Sequence, residues 1–258
     1  MGRFPVIYRV QKMNLTQIVM IPGLLCTDDL YRDQIASVPS CGVVMADTTS
    51  DPTIAAMAER LVEVAPDRFF LCGLSMGGYV ALEVMRIAPE RVTDLVLMAT
   101  SAKADTAEQT AMRRRLVTLA HDKGIAAVAE ILSDRLLGPN GRTDPQLRRR
   151  IVAMAEAIGA DIFARQQEAI IGRRDLTSLL PCIDVPTTVL AGIHDQIISP
   201  DRSREMAAAM PGSMLNLLDG VGHMVTMEAP DAASAVIRRH LQRDASVAPY
   251  QLVAGPKL

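Results

Sequence analysis

The chain has 258 residues, of which 49% are apolar, and a formal net charge of −2. This length suits one large domain with a sizeable core, and this composition excludes long disordered stretches. The net charge gives no electrostatic case for binding nucleic acid, which would call for a basic face. No apolar run approaches the length of a membrane span. We therefore expect neither nucleic acid nor a membrane among the partners.

The N-terminus and the cysteines point to a cytoplasmic protein without a metal site. Residues 1–5 lack the uninterrupted apolar stretch of a signal peptide, so we expect a cytoplasmic location. The four cysteines are widely spaced and form neither a Cys-x-x-Cys pair nor a zinc pattern with histidine. We interpret them as small apolar residues.

Strand-like and helix-like segments alternate in the first part of the chain. We interpret residues 1–16 as an N-terminal extension, in which Val6, Tyr8 and Val10 alternate as in an edge strand. Thr27 and Thr53 precede helical patterns and suit the N-cap position. The predicted strands are residues 17–21, 43–45, 68–72 and 92–99, and the predicted helices begin after Thr27 or cover 54–64 and 76–88.

A long helical segment interrupts this alternation. Residues 102–180 carry helical patterns without a strand signal, so we predict a helical lid inserted into an α/β core of residues 17–101 and 181–243. Residues 244–258 resemble a loose tail. Alternating strands and helices predict a mostly parallel sheet with helices on both faces. The later predicted strands are 187–191 and 214–218, and the later helices are 201–209 and 229–241.

One serine lies at a sharp junction between a predicted strand and a predicted helix. The motif is Gly73-Leu74-Ser75-Met76-Gly77, with glycine two residues before and two residues after the serine. The strand and the helix pass close together at such a turn, so a side chain at either glycine position would collide. The helix start also provides free N–H groups beside the serine oxygen. The pattern indicates a nucleophile.

An acid and a base follow the last two predicted strands. Asp195 comes after strand 187–191, and His223 comes after strand 214–218. The carboxyl ends of parallel strands share one edge of a sheet, so both residues should lie near Ser75. A serine hydroxyl needs a base to accept its proton and a third group to orient that base. These residue types in these positions therefore predict nucleophilic catalysis.

Other candidates for the acid and the base are weaker. Asp219 is a second candidate acid, although its position suggests a turn residue. The remaining histidines fit other roles. They are His194, a loop residue beside the first acid; His121, in the helical segment; and His240, which we expect to be exposed on the last helix.

Two runs of three arginines lie in the predicted lid. They are Arg113 to Arg115 and Arg148 to Arg150. Basic runs on helices are usually solvated, so we expect an exposed helix face in both places. Attraction of an anionic substrate is the alternative interpretation, and it extends to Arg173 and Arg174.

From about Gln17 to Leu241 the chain resembles the α/β-hydrolase superfamily, above all its small lidded esterases, lactonases and carbon–carbon hydrolases. The features that carry the resemblance are Gly73-Leu74-Ser75-Met76-Gly77-Gly78, Gly192 to Asp195 with Pro200, and Gly222-His223 with Glu228 and Pro230. The chain order of serine, aspartate and histidine is also that of this superfamily. The resemblance implies that Ser75 is the nucleophile, His223 the general base and then acid, and Asp195 its orienting partner.

The resemblance also implies an oxyanion hole made by the backbone N–H groups of Leu24 and Met76. Many relatives carry His-Gly in the first oxyanion loop, whereas this chain has Pro22-Gly23. Proline cannot make the side-chain hydrogen bonds of histidine. The loop has to be held in another way.

The implied activity is hydrolysis of a small carboxylic ester or lactone through an acyl-serine intermediate, without a metal or an organic cofactor. Carbon–carbon bond hydrolysis, perhydrolysis and acyl transfer use the same triad and stay open as alternatives. A non-catalytic ligand-binding protein on the same fold is an alternative of another class, against which the intact Ser75, Asp195 and His223 argue. The expected partner is a small-molecule substrate, and the sequence is compatible with a homo-oligomer.

Overall fold

A parallel sheet of six strands forms the centre of the structure, a computed structural model that describes residues 16–245. The predicted edge strand at Val6 to Val10 lies outside the described residues. So does the predicted tail of residues 244–258, apart from residues 244 and 245, which end the last helix instead. The strands are β1 (Gln17–Ile21), β2 (Gly42–Met45), β3 (Phe69–Leu74), β4 (Val92–Met98), β5 (Thr187–Gly192) and β6 (Met214–Leu218). Their spatial order is β2-β1-β3-β4-β5-β6, and all neighbouring pairs are parallel.

The helices begin close to the residues that the sequence predicts. The Thr53 hydroxyl accepts a hydrogen bond from the Ala56 N–H at 3.0 Å and caps α2, while Thr27 caps a 3₁₀ turn before α1. The helices are α1 (Arg32–Ala36), α2 (Ile54–Val64), α3 (Met76–Ile87), α4 (Ala107–Lys123), α5 (Ile125–Leu136), α6 (Pro139–Arg142), α7 (Pro145–Ile158), α8 (Ala160–Ile171), α9 (Pro200–Ala209), α10 (Val225–Glu228) and α11 (Pro230–Ala245). Across residues 16–245, none of these helices combines the length and the apolar character needed to cross a membrane.

Alternate residues of each strand pack on opposite faces of the sheet. In β1, Val19 and Ile21 join a buried apolar cluster with residues of α2, α3 and α9. Ile18 and Met20 join a second cluster on the other face, with residues of α7 and α11. Side chains of a strand point alternately to its two faces, so both faces of this sheet are covered. The predicted parallel sheet with helices on both faces is confirmed.

The helices α4 to α8 lie between β4 and β5 in the chain and form a small apolar core of their own. The buried residues of this core are Ala120, Val128, Ala129, Ala155, Ile158 and Phe163, together with Leu25 from the loop after β1. The helical segment therefore packs directly on a loop at the carboxyl edge of the sheet. That edge also carries the loops that follow β3, β5 and β6, which hold the predicted nucleophile, acid and base.

The turn between β3 and α3 passes very close to β1. A methyl group added at Gly77 would collide with the backbone carbonyl groups of Ile21 and Pro22. One added at Gly73 would collide with the backbone of Gly77 and Gly78. Backbone atoms cannot swing aside as a flexible side chain can, so both glycines are needed for this packing.

We expect Gly77→Ala to destabilise the protein by about 3 kcal/mol or more, because the methyl group forces the helix away from β1. The matched control is Gly172→Ala, where the new carbon would meet its nearest neighbour, the Glu168 carbonyl oxygen, at an ordinary 3.5 Å. Urea unfolding of both variants measures the difference. Equal free energies of unfolding in the two variants would contradict the account of this turn.

Candidate active site

Ser75 occupies the turn between β3 and α3 in a strained backbone conformation, with φ 57° and ψ −115°. Residues with a side chain rarely adopt a positive φ, and such strain persists only where neighbouring contacts hold it. The Ser75 N–H donates to the Met98 carbonyl at 2.9 Å. The Ser75 carbonyl accepts from the Gly78 N–H at 2.9 Å and from the Thr100 hydroxyl at 2.8 Å. These bonds fix the serine at the carboxyl edge of the sheet.

Asp195 and His223 form a buried, hydrogen-bonded pair. His223 Nδ1 and Asp195 Oδ2 are 2.7 Å apart, and their side chains are 4% and 0% exposed. The other carboxylate oxygen accepts the backbone N–H groups of Ile197 at 2.8 Å and Ile198 at 2.9 Å. Because an ionised carboxylate only accepts hydrogen bonds, it fixes the histidine tautomer with the proton on Nδ1. Nε2 is then left as the acceptor.

Glu228 holds the loop that carries His223. Its carboxylate accepts the N–H groups of Gly222 and Met224, each at 3.1 Å, on either side of the histidine. It also accepts a hydrogen bond of 2.7 Å from the N–H of Gly138, a residue that lies between α5 and α6. Burial raises the pKa of the Glu228 carboxyl, and the three N–H donors oppose that rise. One side chain thus joins the histidine loop to the helical segment.

The turn after β1 is held by a glutamine from α8. Leu25 has φ 60°, and its N–H donates to Gln166 Oε1 at 3.1 Å. Gln166 Nε2 donates to the Thr48 carbonyl at 3.1 Å, so both ends of this fully buried amide are paired. Pro22 offers no side-chain hydrogen bond to hold this turn. Gln166 holds the turn instead.

The two predicted oxyanion donors lie close to the nucleophile. Leu24 lines the same cavity as Ser75, and a methyl group placed on Gly23 would lie 3.5 Å from Ser75 Cβ. Met76 is the first residue of α3, where an N–H group has no partner within the helix. The structure thus brings the turn after β1 and the start of α3 together beside Ser75. Their action as donors stays a prediction.

A cavity of about 320 Å³ opens onto Ser75 and His223 and is lined by residues from α4, α5, α7 and α8. Most of the lining is apolar. It includes Leu24, Leu74, Leu116, Leu132, Ile151 and Met154. Cys26 also lines the cavity, but burial raises the pKa of its thiol to about 12. Since the thiolate is the reactive form, this thiol is not a competing nucleophile near neutral pH.

The alternative acid and base lie elsewhere. His240 is buried, so the prediction that it is exposed is wrong. Its Nδ1 is 2.8 Å from Asp94 Oδ1 and its Nε2 is 2.9 Å from Thr188 Oγ1, because this face of α11 packs on the sheet. The Asp219 side chain is 88% exposed and contacts His194 at 3.2 Å. Neither His194 nor His240 lines the cavity that Ser75 lines.

Several arginines of the helical segment are paired instead of solvated. Arg150 Nε is 2.8 Å from Asp29 Oδ2, and Arg113 Nε is 2.8 Å from Asp105 Oδ2. Arg173, after α8, is buried. The prediction that both basic runs are solvated is wrong at Arg113 and Arg150, whose side chains are 18% and 20% exposed. Successive helix residues are about 100° apart around the axis, so three in a row cannot share one face.

Sequence reasoning missed two residues that support the site. Gln166 lies within α8 in no recognisable motif, and only the fold brings it to the turn after β1. Glu228 follows Gly222-His223 in the motif, but its contacts with that loop depend on the turn into α10. Within the described part of the chain, histidine, cysteine, aspartate and glutamate side chains form no group of three that could hold a metal ion.

Residues 38–230 match the family described as "Serine aminopeptidase, S33". The chain is 28% identical over 191 residues to the pimeloyl-[acyl-carrier protein] methyl ester esterase of Nitrosospira multiformis, a match that covers 71% of this chain and 72% of the relative.

Solved structures with the same fold include two named enzymes. A thermophilic esterase from Thermogutta terrifontis, with malate bound, has a TM-score of 0.78 at 26% identity, and the match covers 88% of this chain and 90% of that one. The enol-lactonase of Burkholderia xenovorans LB400 has a TM-score of 0.79 at 24% identity, with 89% and 92% of the two chains covered. The second likeness shows the fold alone.

We expect Gln166→Met to lower hydrolase turnover by about tenfold and the free energy of unfolding by about 2 kcal/mol, because it leaves the buried Leu25 N–H and Thr48 carbonyl without partners. The matched control is Glu168→Gln, an exposed position on the same helix. Steady-state kinetics and urea unfolding measure the two effects. Turnover and stability equal to those of the control would show that Gln166 does not hold the turn.

Proposed function

We propose a serine hydrolase mechanism for this chain, which belongs to the α/β-hydrolase superfamily, as its match to the serine aminopeptidase S33 family shows. The predicted fold and the predicted hydrolase class are confirmed by that match and by the esterase relatives. The proposed reaction is cleavage of a small carboxylic ester or lactone. One observation carries the proposal: the buried His223–Asp195 hydrogen bond adjoins the cavity that Ser75 lines.

Acylation begins when Ser75 Oγ attacks the carbonyl carbon of the ester. His223 Nε2 accepts the hydroxyl proton, because Nδ1–H is already committed to Asp195. The tetrahedral intermediate collapses as the bond between the carbonyl carbon and the leaving oxygen breaks. His223 donates its proton to that oxygen. This half-reaction yields an acyl-serine and an alcohol. When the substrate is a lactone, the released hydroxyl group stays attached to the acyl chain.

Deacylation repeats these steps with water as the nucleophile. His223 removes a proton from water, and the resulting oxygen attacks the acyl carbon. The bond to Ser75 Oγ breaks, and His223 returns the proton to that oxygen. The acid leaves and the free serine is restored. Asp195 stabilises the imidazolium that forms in each half-reaction.

The N–H groups of Leu24 and Met76 are proposed to bind the negative oxygen of both tetrahedral intermediates. Donors that are fixed before the reaction stabilise this charge without reorganising. The bond from Leu25 to Gln166 and the start of α3 provide that fixed geometry. Losing one such donor typically costs about a hundredfold to a thousandfold in turnover.

The cavity supports a small and largely aliphatic substrate. About 320 Å³ of mostly apolar space suits a short acyl chain better than a polymer. The helical segment 102–180 is proposed to act as the lid that covers this space. The relatives named as a methyl ester esterase and an esterase support an ester as the cleaved bond.

Peptide substrates fit the site less well. An aminopeptidase has to hold the terminal ammonium group of its substrate, which calls for carboxylates in the cavity. The charged side chains among the described lining residues are Glu108, Arg113 and Arg135, two cations for one anion. This balance favours an ester over a peptide with a free N-terminus.

Other expectations from the sequence stay predictions. They are the cytoplasmic location, the compatibility with a homo-oligomer, the independence of cofactors and the division into a core of residues 17–101 and 181–243 with flanking extensions. Carbon–carbon cleavage, perhydrolysis and acyl transfer stay alternatives that begin from the same nucleophile.

We expect Ser75→Ala to lower the kcat for p-nitrophenyl hexanoate by about ten-thousandfold or more, because no other group supplies the attacking oxygen. The matched control is Ser213→Ala, which removes a hydroxyl that donates to the Ala207 carbonyl outside the cavity. Stopped-time assays give kcat, and circular dichroism verifies folding. Unchanged cleavage by Ser75→Ala would contradict the assignment of the nucleophile.

A further inference from the structure

A buried cluster of charged side chains borders the active-site cavity and carries a net positive charge. Asp105 contacts both Arg113 and Arg173, and the three side chains are 1%, 18% and 6% exposed. Two guanidinium groups thus share one carboxylate. Arg173 is satisfied within the protein, since it also donates to the carbonyl groups of Lys103 and Ile170. Arg113 is the member of the cluster that lines the cavity.

A glutamine beside Arg113 has a donor without a partner. Gln167 is fully buried, and its Oε1 accepts from Arg113 Nη1 at 2.9 Å. Arginine can only donate, so this bond fixes which end of the amide is oxygen. Gln167 Nε2 then has no hydrogen-bond partner among residues 16–245. A buried N–H without an acceptor is destabilising, so this group calls for one.

Both Arg113 and Gln167 line the same cavity as Ser75 and His223. The other charged lining residues are Glu108 and Arg135, which carry opposite charges. The cavity therefore combines an apolar body, a nucleophile, and one place where a half-buried positive charge lies beside a glutamine whose N–H lacks an acceptor. Charge and hydrogen-bond donors together select an anionic oxygen.

We infer that Arg113 and Gln167 bind a carboxylate carried by the substrate, so that the substrate class is the monoester of a short dicarboxylic acid. This inference rests on the proposed function, because it names the substrate of the same site. A carboxylate offers a second anion to a cluster in which two guanidinium groups share the Asp105 carboxylate. It also supplies the acceptor that Gln167 Nε2 lacks.

Two matched substrates test the inference. Mono-p-nitrophenyl adipate and p-nitrophenyl hexanoate have the same leaving group and acyl length and differ only in the terminal carboxylate. For the wild-type enzyme we expect kcat/KM to be about tenfold higher for the adipate ester. Adipate should likewise inhibit hexanoate ester cleavage about tenfold more tightly than hexanoate does, a comparison that needs no variant.

Gln167→Met keeps the size of the side chain and removes its N–H donor. We expect it to lower the ratio of kcat/KM between the adipate and hexanoate esters by about tenfold, and Arg113→Gln to lower that ratio further. The control is Arg114→Gln, whose exposed guanidinium lies next along the helix and pairs with Glu168. It should leave the ratio unchanged.

The outcomes separate the two proposals. Cleavage of the hexanoate ester with no preference for the adipate ester, and no tighter inhibition by adipate, overturns the carboxylate site while the serine hydrolase stands. The carboxylate site is also overturned if Gln167→Met and Arg113→Gln leave the ratio of kcat/KM between the adipate and hexanoate esters unchanged. If the wild-type enzyme cleaves neither ester, the proposed function fails, and the inferred substrate class fails with it.

Discussion

Backbone contact at the turn between β3 and α3 is the constraint on which the rest of the site depends. Neither Gly73 nor Gly77 has room for a methyl group, so α3 can begin directly against β1. That contact brings the turn after β1 beside the first residue of α3, and it leaves Ser75 with a positive φ. Strain of this kind costs about 1–3 kcal/mol, and the Thr100 hydroxyl and the surrounding backbone bonds hold it in place.

The helices between β4 and β5 cover the edge of the sheet that holds the candidate site, and they also hold its loops in place. Gln166 holds the turn after β1, and Glu228 joins Gly138 to the histidine loop. The His223 N–H also donates to the Leu136 carbonyl at 2.7 Å. Movement of these helices would therefore disturb the proposed oxyanion loop and the proposed general base together. We therefore expect access to the cavity and the geometry of the proposed site to be coupled.

Local sequence patterns predicted most of the fold, because strand runs, helical spacing and N-cap residues act over short distances. Strands β1 and β6 have their predicted bounds, and the capped helix α2 begins where Thr53 indicates. Contacts between distant residues were not predictable in this way. Gln166 reaches Leu25 across 141 positions, and Arg113 and Arg173 face inward only because α4 and α8 pack together. A single sequence carries no local signal for such pairs.

Labelling with a fluorophosphonate followed by intact-mass and peptide mass spectrometry tests the central claim most directly. Such a reagent reacts with a serine that a neighbouring base activates, and its phosphonyl oxygen occupies the oxyanion hole. We predict one adduct per chain, located on the peptide that contains Ser75. An unlabelled Ser75 in a protein that cleaves p-nitrophenyl esters, or an adduct on a different residue, would contradict the account.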